Sequence, residues 1–166
     1  MRLLTDVIDT ILNGTEAEKQ TLQMSYFEIA PTPEYLKKLG IVGESFTIRY
    51  GIITHHRKKD SDHDFTADEW KQICAKITEP FAVERYEKGY NLFLDLMHNN
   101  NYVLVGIEVK SVGKSIFVNA VKTVFAKNIC TKKDIIHVSK KNNARATGTS
   151  QRNQSPSISC SQALRA

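Results

Sequence analysis

Cysteine is scarce in this chain of 166 residues, and the three present, Cys74, Cys130 and Cys160, are odd in number and far apart. That excludes a disulfide framework and indicates a reducing, cytoplasmic setting. The cysteines also lack the paired spacing of a structural zinc site. No apolar run is long enough to span a membrane. The apolar start Met1 to Leu4 is broken by Asp6 and Asp9 before the core of a secretory signal could form. No glycine-rich loop suited to nucleotide phosphates occurs, nor a Gly-x-Ser-x-Gly elbow, so two common enzyme classes drop out.

Acidic residues are nearly missing from one end. Residues 1–109 carry 12 basic and 17 acidic side chains, whereas residues 110–166 carry 11 basic and one acidic, so a formal −5 faces +10 within the net +5. A polyanion would meet the C-terminal third first, although a solvated basic tail is also common. The length suits one domain with a real core. Residues 1–140 are expected to form it. Residues 141–166, rich in Ser, Asn, Gln and Arg, have little to bury and read as a poorly ordered basic tail.

Periodicity then divides the chain. Leu3, Leu4, Val7, Ile8, Ile11 and Leu12 fall at helical spacing over residues 2–12, closed by Asn13-Gly14. Residues 22–29 alternate as a strand candidate, ended by Pro31 and Pro33. Thr32-Pro33-Glu34 opens a helix, with Thr32 as N-cap and Gly40 as stop. Phe46 to Tyr50 reads as a short strand. The clearest helix runs from Thr66 to about Thr78, because Thr66 and Glu69 form a capping-box pattern and Trp70, Ile73, Cys74 and Ile77 share a face.

Beyond Pro80 the period becomes two. Residues 81–85, 90–96, 102–109 and 115–125 read as four sequential strands of an antiparallel meander, with residues 135–138 as a brief fifth. The expected architecture is α+β: N-terminal helices packed on a four- to five-stranded antiparallel sheet, with the Trp70 helix over one face.

Candidate chemistry concentrates in residues 55–64, where His55, His56 and His63 accompany Arg57, Lys58 and Lys59. Imidazole passes protons near neutral pH, and Arg and Lys hold phosphate. Metal-free RNA cleavage needs a base for the 2′-hydroxyl, an acid for the leaving 5′-oxygen, and cations for charge developing on phosphate. His63 with His55 or His56 suits the first two roles, Arg57 and Lys122 the third, and Thr123 could orient a phosphate oxygen. Lys110, Lys114, Lys127, Lys132 and Lys133 are candidate phosphate contacts. Each has an ordinary explanation too: a polar run is often a solvated loop, Lys122 can simply solvate a sheet, and Thr123 is a normal strand residue.

Asp62-His63-Asp64 with His55 and His56 fits no recognised metal spacing, so neither metal nor other cofactor is expected. His98 reads as a surface turn residue, His137 as packing in preference to a third site histidine, and Cys74, on the buried helix face, as a poor nucleophile.

The segment Thr32-Pro33-Glu34-Tyr35-Leu36-Lys37-Lys38-Leu39-Gly40-Ile41, then His63 before a helix, then Ile77-Thr78-Glu79-Pro80-Phe81-Ala82-Val83, then Val118-Asn119-Ala120-Val121-Lys122-Thr123-Val124-Phe125, resembles a known group. It looks like the phage-encoded toxin-type nuclease modules of the barnase, EndoU, colicin and RelE-like superfamily, which often form the C-terminal part of Mu F-like head morphogenesis proteins. The resemblance covers roughly residues 30–140 and rests on the succession of patterns. It implies an RNase-like fold with a metal-independent site on the open face of a four-stranded sheet. His63 would be the histidine ahead of the helix and Thr123 the hydroxyl residue of the last long strand. Phe125 stands where Tyr is common in such modules.

The resulting expectation is a toxin-like endoribonuclease of phage or mobile-element origin, cytoplasmic in action and open to delivery within a larger protein. It would act on RNA and be held in check by an immunity protein or antitoxin. The alternative is a non-catalytic RNA-binding or phage structural module with the same fold.

Overall fold

The computed structural model describes residues 3–55 and 63–127, and the backbone of residues 135–138. The expected tail over 141–166 lies outside these residues. The elements run α1 (Leu4–Asn13), α2 (Glu16–Gln20), β1 (Tyr26–Pro31), α3 (Glu34–Lys38), β2 (Ser45–Arg49), α4 (Tyr50–His55), α5 (Ala67–Lys76), β3 (Ala82–Tyr86), β4 (Gly89–His98), β5 (Asn101–Val112), β6 (Ile116–Lys127) and β7 (Ile135–Val138). None of the described helices is long and apolar enough to cross a membrane.

The fold is α+β, with more strands than expected. Seven strands form one sheet in the order β1-β2-β6-β5-β4-β3-β7. The meander β3-β4-β5-β6 is antiparallel throughout. The purely antiparallel, four- to five-stranded sheet needs correcting, because β2 joins β6 in parallel through Phe46↔Asn119 and Thr47↔Ala120. With β1 antiparallel to β2, the early strands extend the sheet instead of standing apart. This junction is pinned by Asn119, which is fully buried. Its amide donates to Thr32 Oγ1 at 2.7 Å and to the Gly43 carbonyl at 3.2 Å, and its carbonyl accepts from Gly43 N at 3.1 Å. Thr32 therefore does not cap α3. Pro33 occupies that position without a side-chain bond.

Local chemistry explains the other elements. In α5 the Thr66 backbone N–H donates to Glu69 Oε2 at 2.7 Å and Glu69 N donates to Thr66 Oγ1 at 3.2 Å, satisfying orphan donors at both ends of the box. Asn99 and Asn100 both take positive φ, 48° and 62°, as a two-residue hairpin between His98 and Asn101 requires.

The helices cover one sheet face. Val7, Ile8, Ile11 and Leu12 of α1 and Trp70, Ile73 and Cys74 of α5 bury against Leu92, Leu94, Val103, Val105, Ile107, Val121 and Val124. The other face carries no described helix. Its apolar content is a small cluster of Ala82, Phe93 and Leu104, flanked by Phe81 and Phe125.

Candidate functional site

Chemistry gathers on that helix-free face because β6 contains a bulge. Gly106 pairs with Thr123 and Ile107 with Val121, so Lys122 is an extra residue without a partner in β5. Two residues then oppose one, and consecutive side chains can share a face, which strict alternation forbids. Lys122 Nζ lies 3.7 Å from Glu108 Oε2. Thr123 lies over Gly106: a Cβ at Gly106 would stand 2.7 Å from Thr123 Cγ2 and 3.5 Å from Asn91 Oδ1. Only glycine leaves Thr123 this room.

The register lines up a polar row across four strands, Glu84↔Asn91↔Gly106↔Thr123. Asn91 Nδ2 donates to Glu84 Oε2 at 2.7 Å, and Glu84 is only 6% exposed. The neighbouring row is apolar, Ala82↔Phe93↔Leu104↔Phe125. His63, ahead of α5, sets its ring 5.8 Å from that of Phe125 at an interplanar angle of 35°. Thr123 and Phe125 are two residues apart on one strand face, about 6 to 7 Å. His63, Thr123 and Lys122 thus come to one side of the sheet.

On the far side of the bulge, Tyr86 OH donates to the Ile107 carbonyl at 3.3 Å. Burial, and then the charge of Glu108, push this phenol above its ordinary range, so it stays protonated. His55, at the end of α4, borders a groove of about 460 Å³ together with Lys122, Arg49 and Tyr26.

His56 and Arg57 lie outside the described residues, as do Lys132 and Lys133. The remaining lysines are spread along the β5–β6 hairpin. Lys110 is Cα-paired with Val118, Lys114 sits in the turn, and Lys127 lies at the opposite end of β6 beside Tyr102. Among the described residues no group of three or more His, Cys, Asp or Glu side chains is placed to hold a metal ion.

A family model for the phage MuF-C-terminal domain matches residues 54–147, more than half of the chain. The chain belongs to that family. None of the curated proteins and none of the solved structures matches it. The MuF-C match takes in His63, the bulge, the polar row and the whole meander, while Tyr26 and Arg49 come from the preceding part of the chain.

His98 is no surface turn residue: it ends β4 and its side chain is 10% exposed. Its Nδ1 lies 2.6 Å from Glu69 Oε1 and its ring 4.5 Å from that of Phe65. Burial opposes ionisation of Glu69, but the His98 hydrogen bond, the two Thr66 bonds and the nearby imidazole outweigh it and hold the carboxyl below its ordinary value. This pair belongs to the helix side and braces α5. Cys74 sits in the core with its thiol pushed up to about 12 by burial, which removes it as a nucleophile at neutral pH.

Reading by periodicity missed Glu84, Asn91, Tyr86 and Glu108. Glu84 follows Val83 in a strand of known period, so its face was readable. That it would meet Asn91 was not, because cross-strand register depends on the turn between them.

Proposed function

We propose that this MuF-C domain chain is a toxin-like, metal-independent endoribonuclease of phage origin. The observation that carries the reading is the β6 bulge, which turns Lys122 and Thr123 together onto the sheet face where His63 meets Phe125.

The chemistry follows from the groups. A base removes the proton of a ribose 2′-hydroxyl, the 2′-oxygen bonds to phosphorus, and the 5′-oxygen leaves with a proton from an acid. The products are a 2′,3′-cyclic phosphate and a 5′-hydroxyl, so no water or metal enters this step. His63 serves as one proton-transfer group, and His55 or His56, at and just after the end of α4, as the other. Lys122 neutralises charge developing on a non-bridging phosphate oxygen, steadied by Glu108 at 3.7 Å. Thr123 donates its hydroxyl to the same phosphate. Such a toxin would require an immunity protein or antitoxin in the cell that makes it.

The test is purified wild type, His63→Ala and Thr123→Ala incubated with RNA in EDTA, alongside growth of cells expressing each. Wild type should cut RNA and arrest growth, and His63→Ala should lose about a hundredfold to ten-thousandfold in rate. Equal cutting by His63→Ala removes the assignment. If wild type cuts nothing and expresses freely, the chain is a non-catalytic RNA-binding or phage structural module.

A further inference from the structure

Tyr26, at the start of β1, is 63% exposed although it belongs to the sheet. The Arg49 guanidinium carbon stands 5.4 Å from its ring centroid, and Arg49 Nη1 is 3.5 Å from its phenol oxygen. The ring separates two grooves. One, of about 460 Å³, is bordered by Arg49, His55 and Lys122. The other, of about 410 Å³, is bordered by Thr47 and Lys110. Both volumes fall in the range of ligand sites, roughly 300 to 1,000 Å³. Among the described residues, neither lining contains an aspartate or glutamate. Thr47 borders the second groove, and its buried hydroxyl has no hydrogen-bond partner among the described residues.

We infer that Tyr26 is a stacking platform for a base of single-stranded RNA, with Arg49, Lys122 and Lys110 following the phosphates on either side. The identity of the strand rests on the ribonuclease reading. Lys122 is shared between the first groove and the cleavage site, so a strand held at phosphate by Lys122 passes into the groove beside Tyr26. An exposed aromatic among cations is what a single strand uses, since each base offers a face for stacking and each linkage a charge. A duplex keeps its bases stacked on one another and presents none to Tyr26. An acidic peptide would satisfy the cations but has no planar group at every step for the ring.

The experiment measures fluorescence anisotropy of a labelled 2′-O-methyl oligouridylate, which lacks the attacking hydroxyl and cannot be cut, with the full chain. Tyr26→Ala should weaken binding by about fivefold to 150-fold, and Tyr26→Phe should bind like wild type. Arg49→Ala should lower the slope of log affinity against log salt by about 0.7. A duplex of the same length should bind more weakly than the single strand. Unchanged affinity in Tyr26→Ala overturns the inference, as does absence of binding by wild type, or a polyglutamate competitor that binds with the same dependence on Tyr26. Cleavage of ordinary RNA, measured beside it, separates the two readings. Binding that depends on Tyr26 without cleavage keeps the platform and removes the ribonuclease. Cleavage with equal binding by Tyr26→Ala does the reverse.

Discussion

The rings of His63 and Phe125 stand 5.8 Å apart, tilted by 35°, on the face opposite the helices. Phe125 rises from the same strand as Thr123, two residues on, so the contact brings the imidazole to the stretch of β6 that carries the hydroxyl. Phe125→Leu keeps an apolar side chain over Phe93 and Leu104 and should cost roughly 0.5 to 3 kcal/mol, ordinary for a point change. It removes the Phe125 ring from beside the imidazole, and misplacement of about 1 Å can lower a rate about a hundredfold. Steady-state kinetics on RNA should show kcat falling while KM holds. A kcat equal to wild type would mean that His63 is positioned by something else.

Trp70, 1% exposed and the only tryptophan, packs edge-on against Phe65 with centroids 5.7 Å apart. Trp70→Ala should destabilise the domain by about 3 to 5 kcal/mol, as emptying a buried aromatic site does. Urea unfolding followed by circular dichroism measures this, and a loss under about 1 kcal/mol would place Trp70 outside the core.

Helix α5 was legible because Thr66, Glu69, Trp70, Ile73 and Cys74 combine a start signal with a single apolar face. The meander was legible through its period of two. The attachment of β2 to β6 was not, since it rests on two parallel Cα pairs between distant stretches of sequence. Thr32 looked like a cap by type and position, yet Asn119 claims its hydroxyl. In the site, His63 and Thr123 stood out as residue types. Their placement on one face depends on the bulge at Lys122, and the polar pair Lys122-Thr123 that interrupts the alternation does not by itself say how β6 registers on β5.

Acid should loosen the brace between α5 and the end of β4. Glu69 is held below the ordinary carboxyl value, so its ionised form stabilises the fold above the unfolded carboxyl range of about 4.3 and loses that effect as pH falls through the lower folded value. Urea midpoints between neutral and strongly acid pH should fall less steeply in Glu69→Gln than in wild type. Identical acid profiles would show that the pair contributes nothing to linkage.

Cys74 is predicted to resist alkylation while the protein is folded. With its thiol pushed up to about 12 and its side chain in the core, almost no thiolate is present or reachable at pH 8. Peptide mass mapping after iodoacetamide should find Cys74 unmodified in buffer and modified in urea. Rapid native labelling would contradict its place under α5.

The most direct measurement is cleavage, in EDTA, of a short RNA and of the same RNA carrying a single 2′-deoxy sugar at the position cut. The account predicts that wild type cuts the first to leave a 2′,3′-cyclic phosphate and leaves that position of the second intact, because the attacking oxygen is gone. Cutting of the deoxy position, or loss of all cutting in EDTA with recovery on adding a divalent metal, would contradict a metal-independent site built from His63, a second histidine (His55 or His56), Lys122 and Thr123.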